Sequence, residues 1–133
     1  MNIFITGAES GIGNEIAQLA LLQGHKVFAT YLVEKNINKL DSENVFIYKL
    51  DVTDPSKIKD VALIAKKELD FIDVLINVAG VSYFNNPVST TDEEWRNTLD
   101  VNVSGYFFLT RELLPLLKES QPPILLICHL SGD

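Results

Sequence analysis

Short apolar runs alternate along the chain with longer stretches in which apolar residues recur at helical spacing. The runs typical of strands are residues 3–6, 26–31, 45–49, 73–77 and 124–128. Strands that alternate with helices need crossover connections, and these place the strands parallel with helices on both faces of the sheet. The pattern therefore predicts an α/β fold with a doubly wound parallel sheet.

Two amphipathic helices are predicted before the fourth strand. The first has Gly24 as its C-terminal stop signal, and its apolar stripe consists of Ile12, Ile16, Leu19 and Ala20. The second opens on Asp54 and Pro55, a cap followed by a first helical residue, and ends near Leu69. Its apolar side consists of Ile58, Val61, Ala62 and Ala65.

The last helix is predicted from about Thr91 to about Ser120. Thr91 can cap this helix while Glu94 reaches back from three residues later. Gly105 and Pro115 should bend or loosen it. Its core stripe is expected at Trp95, Leu99, Val103, Phe107 and Leu114.

Composition limits the classes of function. A chain of 133 residues with 47% hydrophobic and 22% charged residues predicts one soluble domain over residues 1–133. The net charge of −7 disfavours nucleic acid and anionic membrane as partners. A single cysteine, Cys128, allows no internal disulfide, and its neighbours suggest no metal site, so we expect a cytoplasmic location. The sequence predicts neither a secretory signal nor a membrane span.

The strongest chemical signal is TGAESGIG, residues 6–13, between the first strand and the first helix. Backbone amides and the helix dipole can receive a pyrophosphate there. Gly7 permits the tight turn, Gly11 lets a phosphate approach the backbone, and Gly13 lets the helix pack closely. The spacing differs from GxGxxG, and no Gly-Lys-Ser/Thr follows, which excludes a P-loop kinase or GTPase. A turn that merely packs well is the alternative.

Polar and small residues follow two further strands. Asp51 and Val52 come after the third strand, and Asn77, Ala79 and Gly80 come at the end of the fourth. Open parallel sheets bind ligands at the carboxyl ends of their strands. Taken singly, Asp51 is as well explained as a solvated loop carboxylate or a helix cap, and Asn77 as a structural amide that joins the fourth strand to a neighbour. Three strand ends that face one crevice favour a ligand site.

These motifs, with Asn102 in DVNVSGYFFLTRELLPLL, resemble the short-chain dehydrogenase/reductase family over about residues 1–120. The resemblance implies a Rossmann-type sheet of strand order 3-2-1-4-5-6-7 and hydride transfer between a nicotinamide cofactor and a small-molecule carbonyl or alcohol. By the resemblance the pyrophosphate is held by Gly7, Ser10, Gly11, Ile12 and Gly13. The adenine edge is held by Asp51 and Val52, and the nicotinamide-side ribose by Asn77, Ala79 and Gly80. Asn102 corresponds to a helix asparagine that supports a water in the proton relay, with a local kink or cap as the alternative.

The choice between NAD and NADP depends on the end of the second strand. An acidic residue there accepts a hydrogen bond from the ribose 2′-hydroxyl, and a basic one pairs with a 2′-phosphate. This chain has Tyr31 and Leu32 there, which are neither acidic nor basic, and Tyr31 is expected to lie beside the cofactor. Glu9 would repel a phosphate and Lys35 would attract one, so the sequence leaves the choice open. Tyr31 and Lys35 also reproduce the YxxxK spacing of the catalytic pair, but we reject that assignment because they lie on the adenosine side.

The chain departs from the family pattern in its tail, residues 121–133. His129 stands where the resemblance places the catalytic serine, and the tyrosine, the lysine and the last two strands have no counterpart. We therefore expect an incomplete sheet, an inactive chain as it stands, and self-association through the exposed edge of the fifth strand. A shifted reading frame near residues 121–124 permits a serine pair, which suggests a frame-shifted tail. The alternatives are a non-catalytic dinucleotide-binding module and a non-functional remnant.

Overall fold

The computed structural model describes residues 1–83, 85–119 and 122–127. The strands are β1 (Asn2–Ile5), β2 (Lys26–Tyr31), β3 (Val45–Lys49), β4 (Val74–Asn77) and β5 (Ile124–Ile127). The helices are α1 (Gly11–Leu22), α2 (Pro55–Leu69), α3 (Asp92–Leu99) and α4 (Tyr106–Lys118). A 3-10 turn at Asn36–Lys39 and a π-helical turn at Asp100–Gly105 were not predicted from the sequence.

The five strands form one parallel sheet in the order β3-β2-β1-β4-β5. This arrangement confirms the predicted α/β fold, and the sheet is partial, with β5 at one edge of its described part. Ile5 of β1 pairs with Ala29 of β2 and with Ile76 of β4, so the loops that follow these strands emerge at one edge. The predicted strand limits agree to within one residue, except that Cys128 lies outside the described residues.

Side chains alternate between the two faces of the sheet and form two cores. Phe4, Phe28 and Leu75 pack with residues of α2 and α4 on one face. Ile5 and Val27 pack with α1 on the other. The rings of Phe4, Phe28 and Tyr48 stack in succession across β1, β2 and β3, with neighbouring centroids 4.9 Å apart. Helices therefore cover both faces, as predicted.

The predicted helix caps are present. The Asp54 side chain accepts hydrogen bonds from the backbone N–H groups of Ser56 and Lys57 and so opens α2. Thr91 and Glu94 form the expected capping box of α3. The hydrogen bond donated by the Thr91 backbone lowers the pKa of the Glu94 carboxyl, because it stabilises the charged form. Gly24 follows α1 with a φ of 78°, the left-handed conformation of a helix stop.

The buried face of α1 differs from the predicted stripe. Ile12 and Leu19 are 43% and 56% exposed, whereas Gly13, Ala17 and Ala20 are buried. Small side chains let the helix lie close to the sheet, so the short residues face the core and the larger ones lie at its margin.

The predicted core stripe of the last helix is wrong for the described structure. Its members are between 39% and 61% exposed, namely Trp95, Leu99, Val103, Phe107 and Leu114. The irregularity expected near Gly105 is present as the π-helical turn, which inserts extra backbone between α3 and α4 and so changes the face that each presents. The buried residues of α4 are Tyr106, Leu109, Leu113, Leu116 and Leu117. Pro115 lies inside α4, and Ser120, where the helix was expected to end, lies outside the described residues.

Candidate functional site

The glycine turn after β1 has three glycines with different structural roles. Gly7 and Gly11 have left-handed φ angles of 68° and 50°. A Cβ atom on Gly7 would lie 2.8 Å from the backbone nitrogen of Ala79, and one on Gly13 would overlap the carbonyl oxygen of Gly7. A Cβ on Gly11 would meet no atom of the described residues within 4 Å. Gly7 and Gly13 are therefore required by the packing of the protein itself, whereas the space beside Gly11 is open.

Thr6 ties the glycine turn to the loop after β4. Its side chain is fully buried, and its Oγ1 accepts hydrogen bonds from the backbone nitrogens of Val78 and Ala79, each at 3.0 Å. This contact fixes the loop that carries Ala79 and Gly80. Sequence reasoning did not single out Thr6, although its place directly before Gly7 was a signal.

A cleft of about 130 Å³ lies where the ends of β1, β2, β3 and β4 meet. Seven of the residues predicted for the cofactor line it, namely Gly7, Ser10, Tyr31, Asp51, Val52, Ala79 and Gly80. Glu9, Leu32 and Val81 also line it. Gly11 and Ile12 are exposed at the start of α1, and Gly13 and Asn77 are buried. The structure therefore brings together most of the predicted set at one edge of the sheet.

Asp51 contributes one oxygen to the local turn and leaves the other available. Its Oδ1 accepts hydrogen bonds from the Thr53 backbone nitrogen at 2.9 Å and from Thr53 Oγ1 at 2.6 Å. Its Oδ2 has no hydrogen-bond partner among the described residues. Val52, the next residue, lies against Gly105, where a Cβ would come within 2.9 Å of Val52 Cγ2. Gly105 thus lets the last helical segment approach the loop after β3.

Glu9 connects the glycine turn to the end of β2. Its Oε1 accepts a hydrogen bond from the Leu32 backbone nitrogen at 3.2 Å, and its carbonyl oxygen accepts one from Asn36 N at 3.2 Å. Its Oε2 is buried and has no hydrogen-bond partner in the described part of the chain. The sequence indicated the charge of Glu9 but not its contact with β2.

The two asparagines of the predicted site have different surroundings. Asn77 is 1% exposed, and neither of its amide atoms has a hydrogen-bond partner among residues 1–83, 85–119 and 122–127. Asn102 lies in the π-helical turn, where its Oδ1 accepts from Val81 N at 2.9 Å and its Nδ2 donates to Val81 O at 2.8 Å. Because Val81 lines the cleft, the Asn102 amide positions a wall of the site. This contact joins Asn102 to a distant loop and is neither a local kink nor a cap, so the role of Asn102 stays a prediction.

The described ranges give no support to a metal site or to a membrane-spanning helix. No group of three or more His, Cys, Asp or Glu side chains there is placed to hold a metal ion. In the same ranges, no helix has the length and apolar character needed to cross a bilayer.

The parallel sheet, the glycine turn and the cleft at the strand ends define a Rossmann-type α/β domain. A family model described as short chain dehydrogenase matches residues 1–132. The chain is 32% identical over 123 residues to the NADP-dependent 3-hydroxy acid dehydrogenase YdfG of Escherichia coli K12, which covers 90% of this chain and 50% of the relative. It is 34% identical over 120 residues to the 3-oxoacyl-[acyl-carrier-protein] reductase FabG of Salmonella typhimurium, and this match covers 88% of this chain and 49% of the relative.

A solved short-chain dehydrogenase from Streptomyces avermitilis superposes with a TM-score of 0.88 at 31% identity, over 95% of this chain and 48% of that one. The chain belongs to the short-chain dehydrogenase/reductase family. It spans about half the length of the curated relatives that it matches.

Proposed function

We propose that this chain is the cofactor-binding part of a short-chain oxidoreductase that moves a hydride between a nicotinamide cofactor and a carbonyl or alcohol. The observation that carries the proposal is the open space at Gly11, beside the cleft where the ends of four strands meet. Membership of the dehydrogenase family supports the same assignment.

The start of α1 is suited to the pyrophosphate. Ser10 is the N-cap residue, its side chain makes no capping hydrogen bond, and the first turn of α1 carries no acidic residue. Backbone N–H groups at a helix start attract anions, and the left-handed Gly11 adds no side chain in their way. We assign the pyrophosphate to Gly7, Ser10, Gly11, Ile12 and Gly13.

The remaining cleft residues are suited to the two ends of the cofactor. Asp51 Oδ2 is an acceptor for an adenine amino group, with Val52 beside it and Tyr31 at the neighbouring strand end. Ala79 and Gly80, in the loop that Thr6 holds, are assigned to the ribose on the nicotinamide side. Asn77 immediately precedes this loop, and its unpaired amide remains assigned to the same end of the cofactor.

The residues of this chain would hold and orient a nicotinamide group in the cleft, and that group, when bound, would supply or accept the hydride. Asn102 is proposed as a positioning residue that holds Val81 in place. Its role in supporting a relay water, implied by the family resemblance, stays a prediction.

The test compares two glycines that both have positive φ, Gly11 and Gly24. At either position a Cβ would meet no atom of residues 1–83, 85–119 and 122–127 within 4 Å, but Gly24 lies at the far end of α1. Titration of NADH and NADPH, followed by nicotinamide fluorescence, should show binding by the unmodified chain and by Gly24→Val. Gly11→Val should bind at least about tenfold more weakly, a loss of about 1.4 kcal/mol. Equal binding by the two variants would show that the Gly11 turn is only structural.

A second candidate function is a dinucleotide-binding module without catalysis, and a non-functional remnant is a third reading. His129 at the position of the serine favours both, although residues 128–133 lie outside the described residues. Titration of NADH against the 133-residue chain separates the remnant, which should not bind, from the other two. Binding without turnover of aldehydes or ketones is expected both of the cofactor-binding part of an oxidoreductase and of the module. Turnover once the chain is extended in the neighbouring reading frame would support the oxidoreductase, and its absence would support the module.

The proposed frame shift in residues 121–133 concerns the same tail, of which the structure describes only residues 122–127. Sequencing of the gene tests it directly. A serine pair followed by a YxxxK stretch in the neighbouring frame would support the hypothesis, and their absence there would refute it.

A further inference from the structure

We infer that Glu9 makes the cleft select NAD over NADP; this inference rests on the proposed function. Glu9 stands in the glycine turn, yet its carboxylate reaches the end of β2, where Oε1 accepts a hydrogen bond from Leu32 N at 3.2 Å. Glu9 is one of the residues that line the cleft, together with Tyr31, Leu32 and Asp51.

The position of Leu32 indicates which part of a dinucleotide Glu9 faces. In Rossmann domains the residue that reads the ribose 2′ position lies about 20 residues beyond the glycine turn, at the end of the second strand. This chain has Tyr31 and Leu32 there, and both are uncharged. The carboxylate absent from the end of β2 is supplied by Glu9, because the hydrogen bond to Leu32 N holds it at that point.

The charge of the cleft disfavours an additional phosphate. Glu9 and Asp51 are the charged side chains of its described lining, which contains no Lys, Arg or His. The ion pairs found in the described ranges, Arg96–Asp92 and Arg111–Glu112, involve neither carboxylate. Lys35, the cation that the sequence offered as an attraction for phosphate, is exposed and does not line the cleft.

The second oxygen of Glu9 determines which ligand group is accepted. Glu9 Oε2 is buried and has no hydrogen-bond partner within the described ranges. A ribose 2′-hydroxyl is a donor and satisfies this acceptor once the carboxylate turns Oε2 from its buried position toward the cleft. A 2′-phosphate offers mainly acceptor oxygens and carries about −1.5 to −2 charge at neutral pH, so it would face a like charge at short range. The cofactor preference inferred here is opposite to that of the NADP-dependent 3-hydroxy acid dehydrogenase of Escherichia coli K12.

The test uses an isosteric change of charge in the 133-residue chain. NADH and NADPH are titrated against the unmodified chain, Glu9→Gln and Glu15→Gln, with nicotinamide fluorescence as the readout. In Glu9→Gln the side-chain carbonyl of the new glutamine can still accept from Leu32 N, so the fold of the turn is retained. Glu15 lies exposed on α1, outside the cleft lining, and its replacement by glutamine removes the same unit of charge from the chain.

The unmodified chain should bind NADH at least about tenfold more tightly than NADPH, and Glu9→Gln should narrow that ratio by about tenfold. Glu15→Gln should leave the ratio unchanged, and added salt should reduce the discrimination, because screening weakens repulsion between charges. Equal affinity for the two nucleotides, or a ratio that Glu9→Gln does not change, would overturn this inference and leave nucleotide binding intact. Binding of neither nucleotide would overturn the proposed function and this inference together.

Discussion

Replacement of Thr6 by valine removes the hydroxyl that joins the glycine turn to the loop after β4. Valine has nearly the shape of threonine, so the change leaves two backbone N–H groups, those of Val78 and Ala79, without their acceptor. A buried donor left unpaired costs about 1–3 kcal/mol. The site around Val78 is buried and that around Ala79 is partly buried, so we expect a combined loss of about 3 kcal/mol in the free energy of unfolding.

The matched control is Thr30→Val. Thr30 is 1% exposed, but among the described residues its hydroxyl makes one hydrogen bond, a long one donated to Ile5 O at 3.5 Å. Its loss should therefore cost less than about 1 kcal/mol. Thr6→Ser keeps the hydroxyl and should recover most of the stability lost in Thr6→Val.

Urea unfolding followed by far-ultraviolet circular dichroism measures these differences. Circular dichroism is preferable to tryptophan fluorescence because Trp95 is exposed and reports weakly on the core. The reasoning fails if Thr6→Val loses no more stability than Thr30→Val, or if Thr6→Ser is as unstable as Thr6→Val.

Two further predictions concern Asp51, in the loop after β3, and the exposed edge strand β5. Asp51→Asn keeps an oxygen for the Thr53 contacts but removes the charge. In calorimetry it should weaken the binding of AMP by about 1 kcal/mol and leave the affinity for nicotinamide mononucleotide unchanged. Equal losses of affinity for the two ligands would indicate misfolding. The apolar side chains of β5 are 43–61% exposed, so we propose that the 133-residue chain self-associates through this edge. Burial of about 300 Å² of apolar surface there is worth about 8 kcal/mol. Sedimentation should show oligomers that Leu125→Lys reduces, whereas a monomer that binds no hydrophobic dye would contradict this proposal.

The parts of the fold that were predictable depend on local signals. Asp54 before Pro55 and Thr91 before Glu94 each satisfy backbone donors within three residues, so the sequence contains the whole interaction. The strand limits were predictable because a short apolar run is also a local pattern. The strand order came from the family resemblance, and the structure confirms it for β1 to β5.

The parts that were not predictable depend on tertiary packing. The stripe through Trp95 and Phe107 has the spacing of a core face, but the π-helical turn between α3 and α4 changes the register. Gly105 indicated an irregularity at this place in the helix, but not its π-helical form. In α1, the spacing of Ile12 and Leu19 suggested one buried face, whereas close approach to the sheet selected the smaller residues. Periodicity predicts that a helix is amphipathic more reliably than which of two adjacent faces is buried.

The candidate site shows the same division. The glycine turn and the residues after β3 and β4 were visible as motifs, but the contacts that arrange them join distant positions. Thr6 contacts Val78 across 72 residues, and Glu9 contacts Leu32 across 23. Such contacts follow from the crossover topology, which places successive strand ends side by side. The sequence therefore indicated which loops meet and not which side chains join them.

The hydrogen-bond donors and the carboxylate acceptors of the cleft lie at different ends of it. This separation shows how an acidic chain can bind an acidic ligand. Backbone donors at the start of α1, with no acidic residue in its first turn, lie at the end assigned to the pyrophosphate. The carboxylates of Glu9 and Asp51 lie beside the ends of β2 and β3, where an adenosine presents hydroxyl and amino donors. On this assignment each protein group faces a ligand group of opposite hydrogen-bonding character, and these local contacts offset the repulsion that the net charge of −7 exerts on an anionic ligand. A phosphate on the adenosine ribose breaks this match at one position, which is why a single side chain, Glu9, is expected to discriminate between the two cofactors.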